Sequence, residues 1–269
     1  MKRMAGFLGL RYEEDLAPVL LSALVLAAQV TGYLTLRNRA LVVGAALLLF
    51  IPQLMLAMVV HNHAHVTLFK WRPLNHILEL VLFLQTGMFA SMFRLHHNHG
   101  HHLYYTDPGR DPSTWVKPDG GKMGRPRYVA RYYFTYLPQV LRIGRGRPRL
   151  LRQALAHLGM GYALLAILVL ARPFSGAVFF VAPVLGVWLT FIAITYDDHI
   201  DLFSQEPLQA SHTKRNPVIN TLFFNSGYHM AHHLKPGLHW SRLPAYHASI
   251  QEKISVPPPE TFLNKVFAR

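Results

Sequence analysis

The sequence contains no cysteine among its 269 residues. This absence excludes disulfide bonds, thiolate metal sites, iron–sulfur clusters and cysteine nucleophiles, because each of them needs a thiol. It says nothing about the compartment in which the protein works. Any metal or redox chemistry must therefore use other side chains.

Charged residues are also scarce. They make up 15% of the chain, whereas a soluble domain carries about a quarter. An uncharged apolar helix of about 20 residues is about 30 Å long, which matches the hydrocarbon core of a bilayer. Runs of this kind occur at about 16–36, 40–60, 153–171 and 174–196. We therefore predict an all-α integral membrane protein with four transmembrane helices.

Acidic residues are rarer than basic residues, with 13 Asp and Glu against 27 Lys and Arg. Between the first and second helices the basic residues are Arg37 and Arg39, and between the third and fourth there is only Arg172. All other basic residues lie in the N-terminal segment, in 61–152 or in 197–269. The positive-inside rule places these segments in the cytoplasm. We expect a protein of the inner or plasma membrane with both termini and a helical cap on the cytoplasmic side.

The excess positive charge has a simple interpretation as a topology signal and a contact for lipid headgroups. No nucleic-acid recognition motif is present, so we expect no nucleic-acid partner. The first apolar run follows Glu13, Glu14 and Asp15 and lacks a small-residue cleavage site. We therefore do not expect a cleavable signal peptide. With no internal repeat, residues 1–269 are predicted to form a single membrane-embedded domain.

The segment 74–93 is apolar but is not counted as a span. It carries Glu79 and Gln85. If it crossed the bilayer, the histidine-rich stretches at 61–65 and 94–102 would lie on opposite sides of the membrane. We predict that this segment enters or lies along the interface without crossing.

Histidine is abundant, with 17 residues. Three clusters occur, HNHAH at 61–65, RLHHNHGHH at 94–102 and HMAHH at 229–233, and a single histidine follows the fourth apolar run. Helical spacing of three or four residues puts members of a cluster on one face. Four helices can bring these cytoplasmic segments together. The predicted ligands are His61, His65, His97, His101, His102, His199, His229, His232 and His233.

Nine imidazoles suit two metal ions, because one ion takes about three to five such ligands. Imidazole suits iron, zinc, copper or nickel. Two ions with open positions beside a bilayer favour oxygen chemistry on an unactivated C–H bond. The remaining histidines have other interpretations. We interpret His76, His157 and His212 as structural, and His63, His96 and His99 as supporting neighbours or exposed residues.

The histidine pattern resembles that of the membrane fatty-acid desaturase and hydroxylase superfamily. NSGYHMAHHLKPGLHWSRLP at 225–244 is similar to the family's NxGYHxxHHxxPxxxWxxLP segment. HHNHGHHLYYTDPGRDP also resembles the HxxGHH segment of bacterial alkane hydroxylases, and Asp111-Pro112 falls where many desaturases carry DP. The likeness covers roughly residues 45–247. It implies a mushroom-shaped helical protein with four spans, a cytoplasmic cap, two iron ions, O₂ as cosubstrate and a fatty-acyl substrate.

The sequence departs from the family pattern at two points. Many desaturases have HxxHH in the second box, but here Asn98 stands three residues before His101, so His97 is one residue further away. His199 is assigned only from its position after the fourth helix. We expect one of the nearby carboxylates to orient its ring through the second nitrogen; the candidates are Asp197, Asp198 and Asp201.

No electron-transfer domain is fused to the chain, so the resemblance implies a separate ferredoxin-like or cytochrome-like donor. The Arg-rich region 122–149 is a candidate surface for an acidic donor or, equally, for lipid headgroups. Desaturation is the preferred reaction because the third box is the most desaturase-like. Hydroxylation of a fatty acid, alkane or carotenoid ring stays open, as do a membrane metal-binding or transport protein and a di-zinc hydrolase with Asp198 or Asp201 as base.

Overall fold

A computed structural model describes residues 2–257 of the chain. Over these residues the protein is helical and contains no β-strand beyond isolated bridges between Leu10 and Phe69 and between Val116 and Lys122. Four helices are long and apolar enough to cross a bilayer, and they cover Glu13–Thr35, Arg39–His65, Pro148–Ala171 and Pro173–Asp198. The prediction of an all-α protein with four transmembrane helices is confirmed.

Thirteen α-helical segments occur in the described part of the chain. They are α1 Lys2–Phe7, α2 Leu16–Thr35, α3 Arg39–His65, α4 Arg72–Thr86, α5 Ala90–Phe93, α6 His102–Tyr104, α7 Arg125–Gly144, α8 Pro148–Ala171, α9 Pro173–Gly176, α10 Ala182–Thr195, α11 Pro217–Leu222, α12 His229–Leu234 and α13 Leu243–Ile250. Two π-helical stretches, Arg94–His101 and Ala177–Val181, and short 3₁₀ turns complete the helical structure.

The chain forms two compact units. The first unit contains residues up to Phe93 together with Arg147–Thr190, and the second contains Arg94–Gly146 together with residues from Phe191 onward. The first unit holds three of the spans and most of the fourth. The second unit holds α6, α7 and the short helices after the fourth span.

Polar side chains inside the first unit form hydrogen bonds to other side chains and to the backbone, as the low-dielectric interior of a membrane protein favours. Ser22 Oγ donates to Gln85 Oε1 over 2.9 Å, and Gln29 Nε2 donates to the carbonyl oxygen of Phe179 over 2.7 Å. Phe179 lies in the second π-helical stretch. A π-bulge disturbs the regular backbone ladder, and a neighbouring side chain can satisfy a carbonyl that it frees.

The segment 74–93 contains a sharp bend. The helix α4 ends at Gly87, whose φ of 76° is left-handed, and the two flanking helices meet at 91°. A Cβ at position 87 would overlap the backbone carbonyl oxygen of Val184. Glycine is therefore required here both by the backbone conformation and by the close approach.

The buried polar groups of this segment are paired with α8. His157 Nε2 lies 3.0 Å from His76 Nδ1, and its Nδ1 lies 3.0 Å from Glu79 Oε2 and 2.9 Å from Ser91 Oγ. These contacts agree with a structural role for His76 and His157. In the second unit His212 lies between two backbone carbonyl oxygens, those of Ile200 and Pro257.

Gly161 of α8 allows a close approach to two stacked rings, Phe83 and Phe89. Its absent Cβ would lie 2.5 Å from Phe89 Cζ and 2.7 Å from Phe83 Cδ1, whereas nothing lies within 4 Å of a Cβ at Gly159. We expect Gly161→Ala to reduce the free energy of unfolding by roughly 1–3 kcal/mol through overpacking. The measurement is thermal unfolding of the purified protein in detergent.

Gly159→Ala is the matched control, two residues away on the same helix. It should leave the unfolding midpoint unchanged or raise it slightly, because alanine favours a helix by about 1 kcal/mol over glycine. Equal midpoints for the two variants would contradict the close packing of α8 against the phenylalanine pair.

Candidate metal centre

The second histidine box is π-helical over Arg94–His101, where we expected ordinary α-helical spacing. In a π-helix the hydrogen bonds join residues five apart, so residues i and i+5 share a face. His97 and His102 are five apart, and their Nε2 atoms lie 3.0 Å from each other. The π-helix therefore accommodates the extra residue that separates this box from the family's HxxHH pattern.

A four-histidine cluster lies in the second unit and consists of His101, His199, His229 and His233. The separations between Nε2 atoms are 3.1 Å from His101 to His199 and 3.0 Å from His199 to His229. They are 3.1 Å from His229 to His233 and 3.3 Å from His233 back to His101. The four nitrogens thus form a closed ring of nearly equal edges.

The size of this ring fits a transition-metal ion. A flat ring with edges of this length has a centre about 2.2 Å from each nitrogen, close to the usual metal–imidazole bond of about 2.0–2.1 Å. Four imidazole nitrogens at these separations therefore form a donor set of the right size for one ion.

The ring tautomers leave lone pairs that point into the cluster. His101 Nδ1 lies 3.1 Å from both carboxylate oxygens of Asp111, and His199 Nδ1 lies 2.7 Å from the carbonyl oxygen of Ala210. Both partners accept, since the Asp111 carboxylate is ionised, so each Nδ1 carries a proton and each Nε2 faces the cluster. When both rings are neutral, two Nε2 lone pairs face each other over 3.1 Å, an arrangement that a cation between them would stabilise.

Burial favours the neutral form of His199 and His233. Burial, together with the neighbouring His101, lowers the pKa of His199 to about 4. The pKa of His233 is held well below its usual value by burial and by the surrounding histidines. Burial would raise the pKa of Asp111, but the His101 ring and its hydrogen bonds hold that pKa below the usual value. At neutral pH His199 and His233 are therefore neutral imidazoles, and the Asp111 carboxylate is ionised.

A second cluster of three histidines also lies in the second unit. It consists of His97 and His102 from the second histidine box and His232 from the third. His102 Nε2 is 3.0 Å from His97 Nε2 and 3.0 Å from His232 Nε2. The rings of His97 and His232 are parallel, with an interplanar angle of 6°. Adjacent residues thus supply different clusters, since His101 belongs to the first and His102 to the second.

His61 and His65 belong to the first unit. They lie one turn apart at the end of α3, with ring centroids 5.1 Å from each other, and His61 packs edge-on against Phe93. The second unit therefore brings seven of the nine predicted ligands into two clusters. These seven are His97, His101, His102, His199, His229, His232 and His233.

The role of Asp111 could not be predicted from the sequence alone. Its carboxylate accepts from the backbone N–H of Thr106 and Ser113, and Ser113 Oγ donates to it as well. These bonds fix the carboxylate that faces His101. The only sequence signal was the Asp-Pro pair, which resembles the family motif but does not say which ring the carboxylate contacts.

The prediction that a carboxylate orients the His199 ring was wrong. The backbone carbonyl oxygen of Ala210 lies next to His199 Nδ1 instead. The three carboxylates bind basic side chains instead: Asp197 pairs with Arg125, Asp198 with Lys214 and Asp201 with Lys122. A run such as YDDHID places acids near the histidine along the chain, but the basic partners come from distant positions. Each of the three carboxylates is therefore engaged in an ion pair instead.

The neighbouring histidines are buried rather than exposed. His63 Nδ1 accepts from the backbone N–H of Leu68, and His96 packs between Tyr132 and Tyr136 on α7. Burial lowers the pKa of His96 to about 3. His99 is partly buried. His63 and His96 therefore support the helices that carry the boxes.

Asp111→Asn should weaken metal binding, because the neutral amide no longer stabilises the Nδ1–H tautomer of His101. Loss of such a partner costs about 10- to 100-fold in metal affinity. The measurement is a competition titration of the purified protein with a chelator. Asp119→Asn, on an exposed turn, is the control and should keep the wild-type affinity; an unchanged affinity in Asp111→Asn would contradict the assigned tautomer.

Comparison with known proteins completes this description. The family model described as fatty acid desaturase matches residues 38–258, which is most of the chain and includes all the histidine boxes. No curated protein matches the sequence. The match agrees with the resemblance found in the third box and with the four spanning helices. The chain belongs to the fatty acid desaturase family and is an oxidoreductase of the membrane fatty-acid desaturase type.

Proposed function

We propose that this protein oxidises a fatty-acyl chain with O₂ at a di-iron centre, and that the reaction is desaturation. The observation that carries the proposal is the closed ring of four imidazole nitrogens with nearly equal separations beside a second histidine cluster. An all-imidazole donor set is compatible with iron. Family membership supports an acyl substrate.

The nine predicted histidines are proposed as the ligands of the two ions. The four-histidine cluster would hold one ion. The three-histidine cluster, joined by His61 and His65, would hold the other. When bound, the two irons would supply the activation of O₂ and the removal of hydrogen from a C–H bond.

The protein's own contribution is to position and shield this centre. Asp111 and the Ala210 carbonyl hold His101 and His199 in the tautomer that presents Nε2. Burial of the four-histidine cluster excludes bulk water, which limits side reactions of an oxidising site. The spans place the protein in the membrane, where acyl chains are concentrated.

Desaturation and hydroxylation would use the same ligands. Loss of a second hydrogen gives a double bond, whereas transfer of oxygen gives an alcohol. The outcome depends on the position of the second methylene relative to the centre, which small changes in substrate placement alter. The likeness of 225–244 to desaturases supports the double bond, and hydroxylation is the alternative proposal.

The proposed orientation follows the charge distribution. Both termini and the histidine boxes would face the cytoplasm of an inner or plasma membrane, because the basic residues are concentrated in those segments. A separate ferredoxin-like or cytochrome-like protein would supply the electrons. The chain has no cysteine with which to hold an iron–sulfur centre of its own.

The rival functions have weaker support. A metal transporter places polar ligands near the middle of the bilayer, whereas His61 and His65 lie at the end of α3. A di-zinc hydrolase would need a carboxylate base near the centre. The two candidates, Asp198 and Asp201, form ion pairs with Lys214 and Lys122.

The test compares the lipids of a host that expresses the wild type with those of hosts that express His97→Ala or His99→Ala. Mass spectrometry with double-bond localisation should show a product 2 Da lighter than its precursor, as loss of two hydrogens requires. His97→Ala should abolish this product because His97 belongs to the three-histidine cluster. His99→Ala, which belongs to neither cluster, should retain most of it.

Other results would change the assignment. A product 16 Da heavier, also absent from His97→Ala, would make the protein a hydroxylase with the same centre. Full activity in His97→Ala would contradict the ligand set. Purified protein that binds no iron and consumes no O₂ with a reductant would exclude the oxygenase proposal.

A further inference from the structure

The helix α7 has two faces of different character. One face is buried and carries tyrosines at a spacing of four residues, Tyr128, Tyr132 and Tyr136. The opposite face exposes Phe134 at 75%, Leu137 at 40% and Leu141 at 37% of their surface. These three residues recur every three or four positions, so they form one continuous stripe along the helix. We call Phe134, Leu137 and Leu141 the apolar stripe.

Basic residues follow the same exposed side of α7. Arg127 lies at the start of the helix and Arg142 near its end, both exposed. Arg145 continues this side just beyond Gly144. An exposed apolar stripe bordered by arginines is the pattern of helices that lie in the membrane interface, where the apolar face enters the acyl boundary and the cations contact phosphate.

The position of α7 in the chain also supports contact between this side of the helix and the membrane interface. Only residues 145–147 separate its last residue from Pro148, the first residue of a spanning helix. Three extended residues reach roughly 10 Å. The C-terminal end of α7 is therefore restricted to the neighbourhood of the membrane boundary, with further arginines at 147, 149 and 152.

We propose that α7 is an interfacial helix whose apolar stripe lies among the headgroups of an anionic bilayer leaflet. An acidic protein partner would match the arginines but would not account for a contiguous stripe of three exposed apolar side chains. A leaflet rich in phosphate matches both features. The proposal concerns the surface of α7 and does not depend on the reaction catalysed.

The buried face of α7 gives this contact a further role. Tyr132 Oη lies 3.3 Å from His96 Nδ1, and Ile143 packs on Gly100, where a Cβ would lie 2.9 Å from Ile143 Cδ1. Both contacts reach the π-helix that carries His97 and His101. The helix thus connects a lipid-facing surface to the segment that presents the metal ligands.

The test uses the absence of native cysteine, which makes any introduced cysteine a unique site for a spin label. Phe134→Cys and Leu137→Cys would be labelled in the full-length protein, in nanodiscs of phosphatidylcholine with phosphatidylglycerol. Collision rates with O₂, which enters lipid, and with a water-soluble nickel chelate report the surroundings of each label. Ile167→Cys on a span and Asp119→Cys on an exposed turn are the lipid and water references.

We expect the labels at 134 and 137 to collide more with O₂ than with the nickel chelate, as at 167. Arg142→Gln combined with Arg145→Gln should reduce this preference in the anionic nanodiscs. Nickel collisions like those at 119 would overturn the proposal. Labels that become protected only when an acidic ferredoxin is added would identify a protein-docking surface instead. The same labels would also be measured in neutral nanodiscs of phosphatidylcholine alone. Equal collision rates in neutral and anionic nanodiscs would overturn the preference for anionic headgroups.

Discussion

The Nε2 atoms of His101 and His199 lie 3.1 Å apart in a buried site. When both rings are neutral, their lone pairs repel each other unless a positive charge lies between them, and burial strengthens that repulsion by lowering the local dielectric. The structure fixes this arrangement through the outer nitrogens of the rings, with Asp111 on one and the Ala210 carbonyl on the other. The histidine boxes, the carboxylate and the surrounding helices therefore provide a group of donors that could hold a metal ion.

The arrangement of the histidines also depends on the π-helix at Arg94–His101. It brings His97 and His102 onto one face and leaves His101 to point to the other cluster. An ordinary α-helix would align residues three or four apart and could not divide the box in this way. Such bulges are rarely stable without support. Here the buried tyrosine face of α7 provides it, through Tyr132 and Tyr136 on either side of His96.

Much of the architecture could be predicted from the sequence because it depends on local composition. Uncharged runs of bilayer length predicted the four spans, and histidine spacing predicted the three histidine-box segments. The π-helix could not be predicted, because it packs against α7, where Tyr132 contacts His96 from 36 residues away in the chain. The acids beside His199 were misassigned for a related reason, since their partners Arg125, Lys122 and Lys214 are distant in sequence.

The short helix α12 supplies His232 to one cluster and both His229 and His233 to the other. His101 and His102, which are adjacent in the chain, likewise belong to different clusters. An ion bound at one cluster restricts the motion of α12 and so also positions ligands of the second cluster, which lowers the entropy cost of filling it. Linkage makes this effect reciprocal. The two sites are thus expected to fill with positive cooperativity.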